Sequence, residues 1–220
     1  MKERGLKALR GPIYRITDPL VKGMIRAGIH PNAITTMGFV VTLMSGWFFH
    51  LDHVRTAGVF VLLGGLLDIL DGRVARESGL ASKFGSFYDS TLDRISEIVV
   101  YIGLASLYNN IHSEMDDVAM IYVIMLAMGG SIMVSYTRAR AEGLGLDCKV
   151  GMMQRAERVV ILGAAAWWFG LDFGGRVLDA AIIVVAVLTN ITAIQRIVWV
   201  YRHGAGVPLD DALPEKETQK

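Results

Sequence analysis

DILDGRVARESGLASKFGSFYDSTLD, residues 68–93, carries four aspartates, three of them among membrane-type apolar sequence. Ionisable groups at membrane depth are costly and are retained chiefly for function. On a helix, Asp68 and Asp71 lie three residues apart and Asp89 and Asp93 four apart, so each pair shares a face. A short turn over Glu77–Ser82 would set the two pairs opposite each other across two helices. Facing carboxylates repel unless cations neutralise them, and all-oxygen ligation favours Mg²⁺ or Mn²⁺.

The spacing Asp68-x2-Asp71-Gly72-x2-Ala75-Arg76-x8-Gly85-x3-Asp89-x3-Asp93 resembles the signature of the CDP-alcohol phosphotransferases, and all eight fixed positions are present. That resemblance implies an integral-membrane enzyme of phospholipid synthesis. It also implies a division of labour that spacing leaves open. Asp68, Asp71 and Asp89 would hold two Mg²⁺ or Mn²⁺ ions, and Asp93 would be the general base, with a possible second role as a metal ligand. Gly72, Ala75, Arg76, Ser82 and Gly85 would receive the CDP-lipid, with help from Asn32, Ala33, Ile34 and Thr35. Residue chemistry agrees with several of these roles. Gly72 and Gly85 leave room beside the backbone, although small residues also serve helix packing. Arg76 offers a fork of donors suited to a diphosphate. Pro31 suits a first helical turn, which would leave free N–H groups at Asn32–Thr35 for an anion.

At 220 residues, 53% hydrophobic and with a mean hydropathy of +0.43, the chain is too apolar for an ordinary soluble domain. Spans need about 20 apolar residues, and six are expected near 32–51, 56–76, 84–108, 117–138, 156–171 and 177–199. The expected fold is an all-α integral membrane bundle of six helices, one domain over 1–220. Residues 1–30 mix basic and apolar positions as an amphipathic surface helix does, and 203–220 form a polar tail. No cleavable signal is evident, and no nucleic-acid partner is expected.

A net charge of +1 hides a steep asymmetry. Lys and Arg concentrate in residues 2–26, around the motif, and in 138–158, whereas the opposite loops hold Arg55 and Arg176 and the acidic Glu114, Asp116 and Asp117. The positive-inside rule then places both termini, the motif end and the 138–158 loop in the cytoplasm of a cell-membrane protein. The single Cys148 can form no internal disulfide.

The cationic set Arg138, Arg155 and Arg196 comes from three different expected spans on the motif side, as an acceptor-phosphate pocket between helices requires. Arg140 and Arg158 fit such a pocket or lipid head groups equally well. The strings Arg138-Ala-Arg140-Ala-Glu142 and Arg155-Ala-Glu157-Arg158 resemble one subgroup, the phosphatidylinositol phosphate synthases of actinobacteria and their archaeal relatives. Those enzymes often carry Pro where this chain has Ala156. The resemblance implies CDP-diacylglycerol, or an archaeol counterpart, as donor and inositol 1-phosphate as acceptor, with glycerol 3-phosphate as the alternative, and a homodimer in the bilayer. A proton- or cation-coupled transporter would also bury aspartates, but it needs no glycine–arginine lattice around them, and no inverted repeat is visible.

Overall fold

The computed structural model describes residues 17–110 and 117–205, and among these it is entirely helical and loop. Helix α1 covers 17–26, followed by α2 (Pro31–His50), α3 (Val54–Glu77), α4 (Lys83–Asn109), α5 (Val118–Glu142), α6 (Arg155–Ala164) and α7 (Arg176–Gly204). A π turn over Ala165–Phe169 and a 3₁₀ turn over Asp172–Gly175 join α6 to α7. The six expected spans each coincide with a helical stretch. Three helices, Pro31–His50, Val118–Glu142 and Asp172–Gly204, are long and apolar enough to cross a membrane by length and composition. Helices α3 and α4 have the length but carry the charged motif. Helix α6 has ten residues. Of the expected N-terminal surface helix and polar tail, residues 1–16 and 206–220 lie outside the described residues.

Local sequence sets the breaks. Asp117 accepts from the amides of Ala119 and Met120, capping α5. Ser82 accepts from Gly85 N–H at 3.0 Å and starts α4. Between the two motif helices, Ser78 ends α3 and Gly79 takes φ +72°, the left-handed geometry that reverses the chain after a helix.

Consecutive helices alternate in direction, so one end of the bundle collects the start of α2, the end of α3, the starts of α4 and α6 and the ends of α5 and α7. The opposite end is an apolar core built from Phe49, Val61, Tyr101, Leu104, Ile124, Leu162, Ile182 and their neighbours. The motif end instead buries Asp71, Arg73, Ser96, Arg158 and Arg196. Helix α1 is tied to this end twice. Val21 packs with Ile34, Leu70 and Val74, and the Arg73 guanidinium donates to Thr17, Asp18 and Glu77. Large apolar side chains such as Trp47, Ile102, Leu126 and Ile194 face outward. An ordinary globular surface avoids such patches, but a bilayer accepts them.

Glycines set the closest approaches in the apolar half. A Cβ on Gly103 of α4 would lie 2.7 Å from the Gly46 Cα and 2.8 Å from its carbonyl oxygen on α2. Neither backbone group can swing aside as a side-chain tip could. Gly103→Ala is therefore expected to force α2 and α4 apart and to cost about 1–3 kcal/mol, the usual range for overpacking. A thermal-unfolding midpoint in detergent equal to that of the native protein would contradict this contact.

Candidate metal centre and substrate clefts

The two motif helices bring the aspartates together as their spacing predicts. One carboxylate oxygen from each of Asp68, Asp71 and Asp89 lies within 4.8 Å of the others. Asp71 Oδ2 and Asp89 Oδ1 are buried and accept no hydrogen bond among the described residues. Buried carboxylate oxygens without donors are costly unless a cation meets them, so this all-oxygen cluster fits Mg²⁺ or Mn²⁺. Asp93, one turn further along α4, stands beside this cluster. Its Oδ2 accepts from Arg155 Nη1 at 2.7 Å, and the same nitrogen lies 2.8 Å from Asp68 Oδ2. The first residue of α6 thus bridges the two motif helices.

Two clefts flank the cluster. The smaller, about 180 Å³, is lined by Asn32, Thr35, Asp71, Gly72, Ala75, Arg76, Ser82, Gly85 and Asp89. Seven of the nine residues expected at the CDP site (the seven here other than Asp71 and Asp89) meet in it. A Cβ on Gly72 would approach the Arg76 guanidinium and no neighbouring helix; one on Gly85 would approach Ser82 and Asn32. Both glycines therefore keep this cleft open.

The remaining two residues do not line it. Ile34 is 1% exposed and packs into the apolar patch under α1, and Ala33 points outward. The expectation of free N–H groups at the start of α2 also needs correction. His30 caps the helix, its Nδ1 accepting from Asn32 N–H at 3.2 Å while its carbonyl accepts from Ala33 N–H at 3.0 Å. Those two donors are already engaged, so side chains, more than backbone amides, face the cleft there.

The larger cleft, about 610 Å³, opens between α3, α4, α5, α6 and α7. Its lining includes Asp68, Asp71, Asp89 and Asp93 from α3 and α4 and Arg138, Arg155, Arg158 and Arg196 from α5, α6 and α7. The three arginines expected together are thus together, each with a different setting. Arg138 is half-exposed and pairs with Glu142 at 2.8 Å. Arg155 holds the aspartates. Arg196 is buried, and donates to the carbonyls of Val150 and Val134. With Thr192, whose hydroxyl accepts from the amides of Met152 and Met153, Arg196 pins the loop that leads into α6.

Arg158 is 1% exposed, which rules out lipid head groups for it, and its fork meets both oxygens of Glu97 at 2.5 and 2.9 Å. Sequence reading misses Glu97. The available signal is its position one turn after Asp93 on the same face of α4.

A family model for CDP-alcohol phosphatidyltransferase matches residues 28–200. The chain belongs to this family. It is therefore a membrane-embedded transferase of phospholipid biosynthesis that works with divalent cations. An archaetidylinositol phosphate synthase from Pyrococcus horikoshii is 34% identical over 193 residues, 87% of this chain and 94% of the relative. A phosphatidylinositol phosphate synthase from Streptomyces avermitilis is 34% identical over 206 residues, covering 90% and 83%. Crystal structures of the phosphatidylinositol phosphate synthase of Mycobacterium tuberculosis superpose with a TM-score of 0.75. One has CDP-DAG bound (31% identity, 85% of this chain, 94% of that one), and another holds manganese and citrate (30%, 84% and 88%).

The cluster predicts a measurable metal affinity. Asp68→Asn, Asp71→Asn and Asp89→Asn should each weaken Mn²⁺ binding, followed by electron paramagnetic resonance or calorimetry, by at least about tenfold. Losing a mere outer-shell partner already costs 10- to 100-fold at many metal sites. Native affinity in any one variant would remove that carboxylate from the ligand set.

Proposed function

We propose that the chain transfers the phosphatidyl group of CDP-diacylglycerol to inositol 1-phosphate, releasing CMP and leaving a phosphatidylinositol phosphate. The observation that carries this is the single larger cleft, whose lining includes both the carboxylate cluster with Asp93 and arginines from α5, α6 and α7. A neutral alcohol has no use for that many guanidinium groups; an acceptor bearing a phosphate does. The names of relatives at 34% identity point to the same acceptor class.

In this reading Asp68, Asp71 and Asp89 hold two divalent ions, which supply charge stabilisation for the phosphoryl oxygens and the leaving CMP. The smaller cleft takes the donor. Arg76 pairs with its diphosphate, Gly72 and Gly85 let it approach α3 and α4, and Asn32, Thr35, Ala75 and Ser82 complete the walls. Asp93 accepts the proton of the acceptor hydroxyl as that oxygen attacks the phosphatidyl phosphorus; the bond to the CMP oxygen breaks. Arg138, Arg155 and Arg196 orient the acceptor phosphate. Arg155, which already joins Asp68 and Asp93, keeps the base beside the metal ligands.

The same reading takes the whole chain as one domain with six spans, α2 to α7, works as a homodimer, and keeps the charged end in the cytoplasm. Charge asymmetry supports that orientation, since Arg73, Arg76, Arg138, Arg155, Arg158 and Arg196 all sit at one end of the bundle.

An acceptor panel tests the reading: purified protein, Mn²⁺ or Mg²⁺, CDP-diacylglycerol or CDP-archaeol, and inositol 1-phosphate, glycerol 3-phosphate or free inositol, with CMP release measured. Inositol 1-phosphate should be the best acceptor. Arg155→Gln should raise its KM roughly tenfold or more, because a hydrogen bond to a charged group contributes about 1.5–3 kcal/mol. Preference for free inositol would sink the phosphate pocket, and preference for glycerol 3-phosphate would change the acceptor.

A second arm separates base from ligand. Asp93→Asn should lower kcat by about 10²–10⁴-fold, the usual worth of general acid–base catalysis, and leave CDP-lipid binding intact. Parallel loss of donor binding would make Asp93 a metal ligand first.

A further inference from the structure

Glu97 and Arg158 form the most deeply buried ion pair among the described residues, with side chains 12% and 1% exposed. Neither touches the carboxylate cluster, and the chemistry above uses neither. Desolvating two such charges is expensive. Replacing a buried pair with apolar residues of similar size is often neutral or stabilising, so burial alone does not explain its presence. Its geometry suggests a purpose.

Asp93 and Glu97 are one turn apart on α4, and Arg155 and Arg158 one turn apart on α6. The four side chains pair in order, Arg155 with Asp93 at 2.7 Å and Arg158 with Glu97 through both oxygens. The start of α6 lacks a side-chain cap of its own, since Gln154 at the N-cap makes no such bond, so the first turn depends on contacts from outside the helix. Arg158 supplies one of them. Besides gripping Glu97, its Nη1 donates at 3.2 Å to the carbonyl of Met153, the residue just before the cap. The Met153 amide is held in turn by Thr192 of α7. The Arg158 guanidinium therefore adds a second tie from the entry of α6 to α4, beside that of Arg155 to Asp93, and the residue that this entry presents to the cleft is Arg155.

We propose that Glu97 and Arg158 are positioning residues for the acceptor: they fix the first turn of α6 so that Arg155 faces Asp93 and the acceptor phosphate. The inference rests on the acceptor reading above for the ligand of Arg155. It does not involve the donor cleft, whose walls come from α2, α3, α4 and the loop between the motif helices.

Two variants test it. Arg158→Lys keeps the charge but loses the planar fork that reaches Glu97 and Met153 together. The double variant Glu97→Leu/Arg158→Met removes both charges and fills the space with apolar side chains, which buried pairs commonly tolerate. In each, the KM for inositol 1-phosphate should rise about tenfold or more, while the KM for CDP-diacylglycerol and the Mn²⁺ affinity stay within about twofold of the native protein. Thermal unfolding in detergent identifies folded variants. An unchanged acceptor KM in a folded variant overturns the proposal, as does an equal rise in donor and acceptor KM. Should neither variant fold, the pair is a staple of the bundle and the proposal also falls. Failure of the acceptor reading is separate, because it shows in the native protein as no use of a phosphorylated polyol.

Discussion

Mutual repulsion among three carboxylates is the constraint on which the rest of the structure turns. At 4.8 Å, the outer limit of the cluster, two unit charges repel by about 3.5 kcal/mol at an effective dielectric of ~20. The two pairs that span the helices, Asp68–Asp89 and Asp71–Asp89, would drive α3 and α4 apart if nothing else joined them. The bundle answers in two ways. It brings Arg155 in from a third helix to share Asp68 and Asp93, and it leaves buried lone pairs on Asp71 and Asp89 for which a divalent ion is the natural partner. Attraction for metal and tolerance of like charge are therefore the same property.

Holding such a centre together requires cohesion elsewhere, and the fold separates the two tasks along its length. The half remote from the motif is packed by aromatic and aliphatic side chains from every long helix. The motif half replaces this with directional bonds. Arg73 gathers α1 and α3, Arg158 joins α6 to α4, and Arg196 with Thr192 ties the 143–154 loop to α7. Directional bonds leave space between them, which apolar packing would close. Both clefts lie in that half.

Much of the centre was legible because its signal is local. Asp68 with Asp71, and Asp89 with Asp93, share faces by helical periodicity, and only one turn separates the two helices, so their meeting follows from the chain itself. The glycines of the smaller cleft were legible for the same reason. Partners that meet only through tertiary packing were not. Nothing near Arg155 in sequence says that two motif aspartates stand opposite it, and nothing near Arg158 names Glu97. Ala33 and Ile34 fall outside the lining of the smaller cleft, and the cap at this helix start was not legible in its sequence. His30 fills that role through its ring and its carbonyl. The long helices were visible in hydropathy, and three of them are apolar enough to cross a membrane, although α3 and α4 dilute their own signal with the charges they carry.

The backbone contact between Gly46 and Gly103 makes one end of α4 a fulcrum. From Gly103 to Asp89 there are fourteen residues, a lever arm of about 21 Å at ~1.5 Å per residue. A tilt of only about 1° at the glycine contact moves Asp89 by roughly 0.4 Å, close to the ~0.5 Å tolerance within which a reactive constellation must be held. A substitution that tilts α4 at this contact would thereby be magnified at the carboxylates, although it lies in the opposite half of the bundle.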